Sequence, residues 1–390
     1  MQTNPSFNTS SMQLSHALVQ KIAEAIFDHG GFIPFDQFMA QALYTQDLGY
    51  YTAKNKIFGP QGDFITAPLI SPLFSRCVAR ALIAYKAEFA NLNILEIGAG
   101  NGQMTRDILL YLDSQNQLPQ KYFILDISPN LQAQQAETFK GLPQNLAQKI
   151  CWVDEIPDAF NGIILANEML DALPCKLFVN TAQGIVEKCV SVNAQRDCGY
   201  NEKFLYTHHA VKDLTLLAKL QNYIDEFQLP IDYTLEVNIA AQQWIAQLAK
   251  KLQKGLVLLL DYGYERKALY HPDRTQGTLM CFSQHQKHDN PLINVGLQDI
   301  TTHVDFTAIA EVAVDNGMQV SGFTSQGSFL LSCGLLSLPE IDADPFHIAV
   351  KKLTLPSEMG EIIKVMALTK NLSSDAPLIG FNIEDRRRHL

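Results

Sequence analysis

Glycine recurs at every second position in Gly98, Gly100 and Gly102, and the residues on either side restrict what that spacing can fold into. Upstream, Ile94, Leu95 and Ile97 form a short apolar run of the kind buried in a parallel strand, with Glu96 interrupting it just before the turn. Downstream, Met104, Ile108 and Leu112 keep helical spacing. The stretch therefore reads as strand, glycine turn, helix. Glycine permits tight backbone angles and lets a ligand approach where a Cβ would collide, and the helix N-terminus adds N–H groups without intrahelical partners. A dinucleotide turn of the form G-x-G-x-x-G needs its third glycine where Gln103 stands, which argues against an NAD enzyme.

The form present, E-x-G-x-G-x-G from Glu96 to Gly102, resembles the first motif of class I methyltransferases, in which S-adenosylmethionine (SAM) lies over the turn. The next strand supports a nucleoside. Tyr122 to Asp126 is an apolar run ending in an acid 24 residues after Gly102. An acid so placed can accept hydrogen bonds from both ribose hydroxyls; the plainer role is a solvated carboxylate at a strand end. Ser128 and Pro129 then supply an N-cap and a proline at the first helical position.

Further motifs follow in an order that makes the resemblance specific. Gly49-Tyr50-Tyr51, Gly62-Asp63-Phe64-Ile65-Thr66-Ala67-Pro68, the glycine turn, Ser128-Pro129-Asn130-Leu131 with Gln134-Gln135, and Asn167-Glu168-Met169-Leu170-Asp171-Ala172-Leu173-Pro174 succeed one another. Leu259 to Tyr264, Gly277-Thr278-Leu279 and Asp299 to Phe306 continue the series. The chain is identified as a member of the MidA family of SAM-dependent methyltransferases over about Gly49 to Leu368. Mitochondrial members of that family assist respiratory complex I assembly, and the activity associated with them is symmetric dimethylation of a complex I subunit arginine. The resemblance thus implies an α/β fold, a class I (Rossmann-like) seven-stranded sheet with a helical N-terminal cap, SAM as cofactor and a protein arginine as acceptor. Two departures stand out. Leu69 occupies the place of a glutamate common in the family, which bears on acceptor choice, and Ala99 and Asn101 replace a proline and an arginine inside the glycine turn.

The implied cofactor site draws on Glu96, Gly98, Gly100 and Gly102, then Asp126 and Ile127. Thr66 and Ser71 would line it from the loop ahead of the first strand, and Asn167 from the fourth strand. Asp154 and Glu155, at the end of the strand Lys149 to Val153, would accept from the adenine amino group or else sit in a surface loop. For catalysis, a guanidinium acceptor is charged and planar, and carboxylates grip it bidentately. Glu168 and Asp171, three residues apart, and Glu236 are the candidates for that clamp, with His303 raised to candidate status by its motif. Each has a structural alternative: acids of a first helical turn complement the helix dipole, and a lone histidine is commonly structural. Asp305 reads as an N-cap.

Composition limits the partners. Thirty Lys and Arg against 40 Asp and Glu give a net charge of −10, unfavourable for a phosphate backbone and tolerant of cationic substrates. Seven cysteines without a C-x-x-C pair suggest neither a disulfide framework nor zinc, and His285, His288 and Asp289 are a thin basis for any metal. No apolar run reaches the roughly 18 residues that span a membrane, and the first twenty residues lack Lys and Arg. A cytoplasmic protein is expected.

Four segments are expected along the chain: 1–90 as helical cap and cofactor-lining loop, 91–282 as core strands one to six with an insertion at 180–254, 283–361 as a second insertion, and 362–390 as last strand and tail. Gln276 to Phe282 is assigned to the sixth strand, Ile362 to Leu368 to the seventh, and Glu384 to His389 to a solvated charge run. The insertions are large enough to cover the ligand edge of the sheet or to provide a homodimer surface. Three activities compete with protein-arginine methylation: a non-catalytic SAM-binding assembly factor or chaperone, a small-molecule methyltransferase, and the NAD enzyme disfavoured above.

Overall fold

Short apolar runs joined by helical segments build parallel sheets, and the glycine turn lies at the centre of one. The computed structural model describes residues 7, 9–53, 66–194, 200–284, 286–339, 341, 346–373 and 378–390; Gly62 to Ile65 and His285 fall outside these. The chain divides into two units, one of Met1–Phe64, Asp171–Ala241 and Arg266–His303, the other of Ile65–Leu170, Gln242–Glu265 and Val304–Leu390.

The second unit carries the glycine turn. Its strands are β1 (Asn93–Ile97), β2 (Lys121–Leu125), β3 (Ile150–Val153), β4 (Phe160–Asn167), β5 (Leu252–Tyr264), β6 (Gln319–Ser325) and β7 (Ile363–Lys370). They lie in the order β6-β7-β5-β4-β1-β2-β3. The first five are mutually parallel, and β7 runs antiparallel to both β5 and β6. A two-residue strand, Val304–Asp305, pairs with Gly263 and Tyr264 and makes the sheet eight-stranded rather than seven-stranded. Strand order reverses at β1, whose neighbours are β2 on one side and β4 on the other. Ligands of open α/β sheets sit at such a switch point, beyond the carboxyl ends of the strands.

Helices α1 (Pro72–Ile83), α2 (Gln103–Ser114) and α3 (Pro129–Phe139) contribute to the core of this unit. Leu73, Phe74 and Val78 of α1 and Ile108 and Leu112 of α2 are buried with Ile94, Ile163 and Leu258 of the sheet; each such side chain stabilises the fold by about 1.5–3 kcal/mol. Ser128 caps α3, its Oγ accepting from the Leu131 amide at 3.2 Å, with Pro129 at the first helical position. Asp305 caps Phe306–Asp315 in the same way.

Three expectations are corrected in this unit. The sixth strand of the sheet is Gln319–Ser325, so the segment 283–361 is not wholly an insertion. Its sequence, QVSGFTS, is poor in apolar residues because it lies at a sheet edge, and at Gly322 a Cβ would come within 2.6 Å of the Phe381 ring. β5 begins at Leu252, inside the segment 180–254 expected as an insertion, and its register against β4 shifts between Leu252 and Lys254. The terminal charge run is docked at one residue and otherwise solvated as expected: Arg386 pairs with both oxygens of Glu361, at 2.5 and 3.0 Å, and with Glu384 at 2.9 Å, and its amide donates to the Phe323 carbonyl of β6, while Asp385, Arg387, Arg388 and His389 are exposed.

In the first unit, Thr9–Asp28 and Phe35–Tyr44 are helices of the segment expected to be a helical cap. A five-stranded antiparallel sheet orders Phe32–Pro34, Gly184–Val192, Lys176–Thr181 and Thr234–Val237, with Phe204–Ala210 also paired to Gly184–Val192. Met280–Ser283, expected in the central sheet, belongs here, in a small antiparallel sheet with Gln286–His288 and Asp299–Thr301. No helix among the described residues is long and apolar enough to cross a membrane.

Candidate cofactor and catalytic site

The glycine turn takes up left-handed backbone at all three positions, with φ of +68° at Gly98, +54° at Gly100 and +84° at Gly102, where a side chain would be strained. Gly102 is required a second time by space, since a Cβ there would sit 2.8 Å from the Phe139 ring of α3. Beneath the turn, Glu96 Oε2 accepts from Thr105 Oγ1 at 2.5 Å and Tyr122 OH at 2.6 Å. Its Oε1 is buried with no hydrogen-bond partner. Burial outweighs those two donors and pushes the Glu96 carboxyl up to about 7.

Beyond the end of β2, Asp126 is buried, with Oδ1 accepting from the Ser128 amide at 3.0 Å and Oδ2 from Gln135 Nε2 at 2.8 Å. Burial raises its carboxyl to about 6 despite these bonds. Ile127, the next residue, is 66% exposed, an apolar side chain left open beside a fixed carboxylate. Asp154 and Glu155, past β3, are exposed, and Glu155 reaches Lys251 Nζ at 3.2 Å. Trp152 of β3 is a residue that sequence reasoning missed: half exposed, it packs against Phe139 and donates from Nε1 to Gln135 Oε1 at 2.8 Å. A lone tryptophan inside a short strand gave no pattern by which to single it out.

At the carboxyl end of β4, Asn167 Nδ2 donates to Glu168 Oε1 at 3.1 Å, and the Ala67 amide donates to the same oxygen at 3.3 Å. Glu168 has φ +51°, a conformation few side chains adopt. Its amide donates to the Leu260 carbonyl of β5 at 2.8 Å. Asp261, also overlooked as a site residue, accepts through Oδ2 from the Met169 and Leu170 amides at 3.0 and 2.7 Å. Thr66 precedes the short helix Ala67–Ile70, where a loop was expected, and the buried Ser71 caps α1, its Oγ accepting from the Leu73 amide.

The remaining candidates lie in the first unit and are knit to one another. Glu236 is buried, its Oε1 accepting from the Thr278 and Leu279 amides at 2.8 and 2.7 Å and its Oε2 from Thr278 Oγ1 at 2.5 Å. Thr278 Oγ1 in turn accepts from the His303 amide at 2.8 Å. The buried Asp171 accepts from the Thr302 amide through its main-chain carbonyl. Glu236, expected in the clamp, spends three acceptor positions on the 277–279 turn, two on Oε1 and one on Oε2. Burial raises its carboxyl above the usual range, with the Thr278 and Leu279 donors opposing. No metal-binding cluster of His, Cys, Asp or Glu occurs among the described residues.

The second unit therefore fits an adenosyl sulfonium. Glycine leaves open the approach to the turn, an acceptor carboxylate is fixed past β2, an apolar side chain is exposed beside it, and a buried Glu96 oxygen lacks a donor. A family model described as an S-adenosyl-L-methionine-dependent methyltransferase matches residues 73–324. The mitochondrial protein arginine methyltransferase NDUFAF7 homolog of Drosophila melanogaster is 26% identical, the alignment covering 96% of this chain and 91% of that protein. The mitochondrial protein arginine methyltransferase NDUFAF7 of Danio rerio is 29% identical over 90% and 86%. A crystal structure from Burkholderia thailandensis bound to S-adenosyl-homocysteine superposes with a TM-score of 0.92 at 32% identity, covering 100% of both chains.

Proposed function

The chain belongs to this family of SAM-dependent methyltransferases, and from that premise we propose that its methyl acceptor is an arginine side chain of a protein. The observation that carries the reading is the Glu168 carboxylate, held at the carboxyl end of β4 by a left-handed backbone and two N–H donors, in a family whose relatives are named for protein arginine methylation.

Bound SAM supplies an electrophilic methyl on a sulfonium. The glycine turn and Asp126 bind and orient that group, and Glu168 orients the acceptor. A guanidinium holds its proton up to a pKa above roughly 12, so a carboxylate that pairs with it fixes one nitrogen toward the methyl and favours charge on the others. Alignment and exclusion of water are the main demands of an in-line displacement. Glu236 supports the Gly277-Thr278-Leu279 turn, and we assign it no contact with the acceptor.

The test is transfer of labelled methyl from SAM to proteins of a cell extract, followed by acid hydrolysis and chromatography. Label in methylarginine, abolished by Glu168→Gln, supports the reading. Label in small molecules alone overturns it in favour of a small-molecule methyltransferase. No transfer to any acceptor, together with tight binding of S-adenosyl-homocysteine, leaves the non-catalytic assembly factor.

A further inference from the structure

We propose that Gln135 is a positioning residue of the cofactor site, setting the carboxylate of Asp126 and the glycine turn in one fixed arrangement. Gln135 lies on α3 and is fully buried. Its Nε2 donates to Asp126 Oδ2 at 2.8 Å and to the Gly100 carbonyl at 2.9 Å, while its Oε1 accepts from Trp152 Nε1 at 2.8 Å. An indole only donates, so Trp152 dictates which end of the amide is oxygen. The nitrogen must then face Gly100 and Asp126. Both of its protons are used, and the side chain has no second orientation that satisfies its partners.

The consequence is local rigidity. Asp126 Oδ1 is held by the Ser128 amide and Oδ2 by Gln135, so the plane of the carboxylate is fixed while each oxygen keeps a lone pair for another donor. Thr138 Oγ1 on the same helix donates to the Asn101 carbonyl at 2.7 Å, and Phe139 fills the space opposite Gly102. One helix thus registers the glycine turn against the strand-end acid. Sites of this kind depend on the groups behind those that touch the ligand. The inference rests on Asp126 as the acceptor for the ribose hydroxyls.

Calorimetric titration of the whole protein with S-adenosyl-homocysteine and with its 2′,3′-dideoxyribose analogue tests it. Gln135→Leu should weaken S-adenosyl-homocysteine binding roughly tenfold, weaken binding of the dideoxy analogue distinctly less, through the Gly100 contact alone, and add little to the loss caused by Asp126→Ala. Trp152→Phe, which frees the amide to turn over, should give a smaller loss of the same pattern. Equal losses for both ligands, or additive losses with Asp126→Ala, overturn the proposal in favour of plain packing. If Asp126→Ala itself keeps full affinity, the ribose reading fails; if it loses affinity while Gln135→Leu does not, only the positioning role fails. Should Gln135→Leu not fold, Gln135→Glu serves in its place. A second carboxylate facing Asp126 should make affinity recover as pH falls, and a pH profile like that of the unaltered protein overturns the proposal.

Discussion

The carboxylate of Asp261 accepts the amide of Leu170 at 2.7 Å, so a residue of β5 holds the turn that follows β4. The same oxygen takes the Met169 amide, and the other takes the Tyr262 amide at 2.8 Å. Asp261→Asn would put an NH2 donor against an N–H group while leaving the shape nearly unchanged. We expect a loss of about 2–3 kcal/mol, the cost of unsatisfied buried groups and a lost charged acceptor, measured by chemical denaturation. Methyl transfer should fall with it, because the turn carries Glu168.

Glu168 itself offers a separation of stability from activity. Its φ of +51° costs a non-glycine residue on the order of 1 kcal/mol. Glu168→Gly relieves that strain while removing the carboxylate. Relief of strain and loss of the Ala67 and Asn167 bonds to the carboxylate oppose each other, so the variant should lie within about 2 kcal/mol of the parent in chemical denaturation, still bind S-adenosyl-homocysteine, and lose methyl transfer by about a hundredfold or more. Retained transfer would remove Glu168 from the reaction.

Cofactor affinity should depend on pH through Asp126. Burial sets its carboxyl at about 6, and the ribose hydroxyls require the ionised acceptor. Below that value binding must expel a proton, so affinity falls about tenfold per pH unit below about 6 and is flat above it. Calorimetry across pH 5 to about 8 checks this. Asp126→Asn should abolish the dependence.

Glu96 predicts an opposite trend in stability. Its carboxyl is raised from the ordinary 4.5 to about 7 by burial, so between those values the folded chain holds a proton that the unfolded chain has released. Its contribution to stability therefore declines as pH rises from about 4.5 to about 7 and is constant above. Denaturation of Glu96→Gln beside the parent should show a difference that grows across that window in favour of the variant.

Gly277 reports on Glu236. A Cβ on Gly277 would lie 2.3 Å from Glu236 Oε1, and the backbone there has φ +79°. Gly277→Ala should cost several kcal/mol, about 3 or more by overpacking and strain together, as read by the shift in the urea midpoint. Little or no shift would show that the Glu236 turn is loosely held.

Local pattern made much of the candidate cofactor site legible. Three alternating glycines between an apolar strand and an amphipathic helix, an acid at the next strand end, and Ser128-Pro129 each carry their signal within a few residues, because hydrogen-bonding and φ preferences are properties of the local chain. What the sequence determined by itself was therefore the parallel half of the sheet, the helix caps and the glycine turn. Tertiary structure decided the rest. The edge strand Gln319–Ser325 is too polar to read as a strand and exists because β7 offers it hydrogen-bond partners. Glu236 Oε1 is taken by the amides of Thr278 and Leu279, some forty residues away, a pairing no local pattern announces. Gln135 and Asp261 lie in motifs that say nothing of their roles, and Trp152 lies in none; each matters through partners that only the folded chain brings within hydrogen-bond reach.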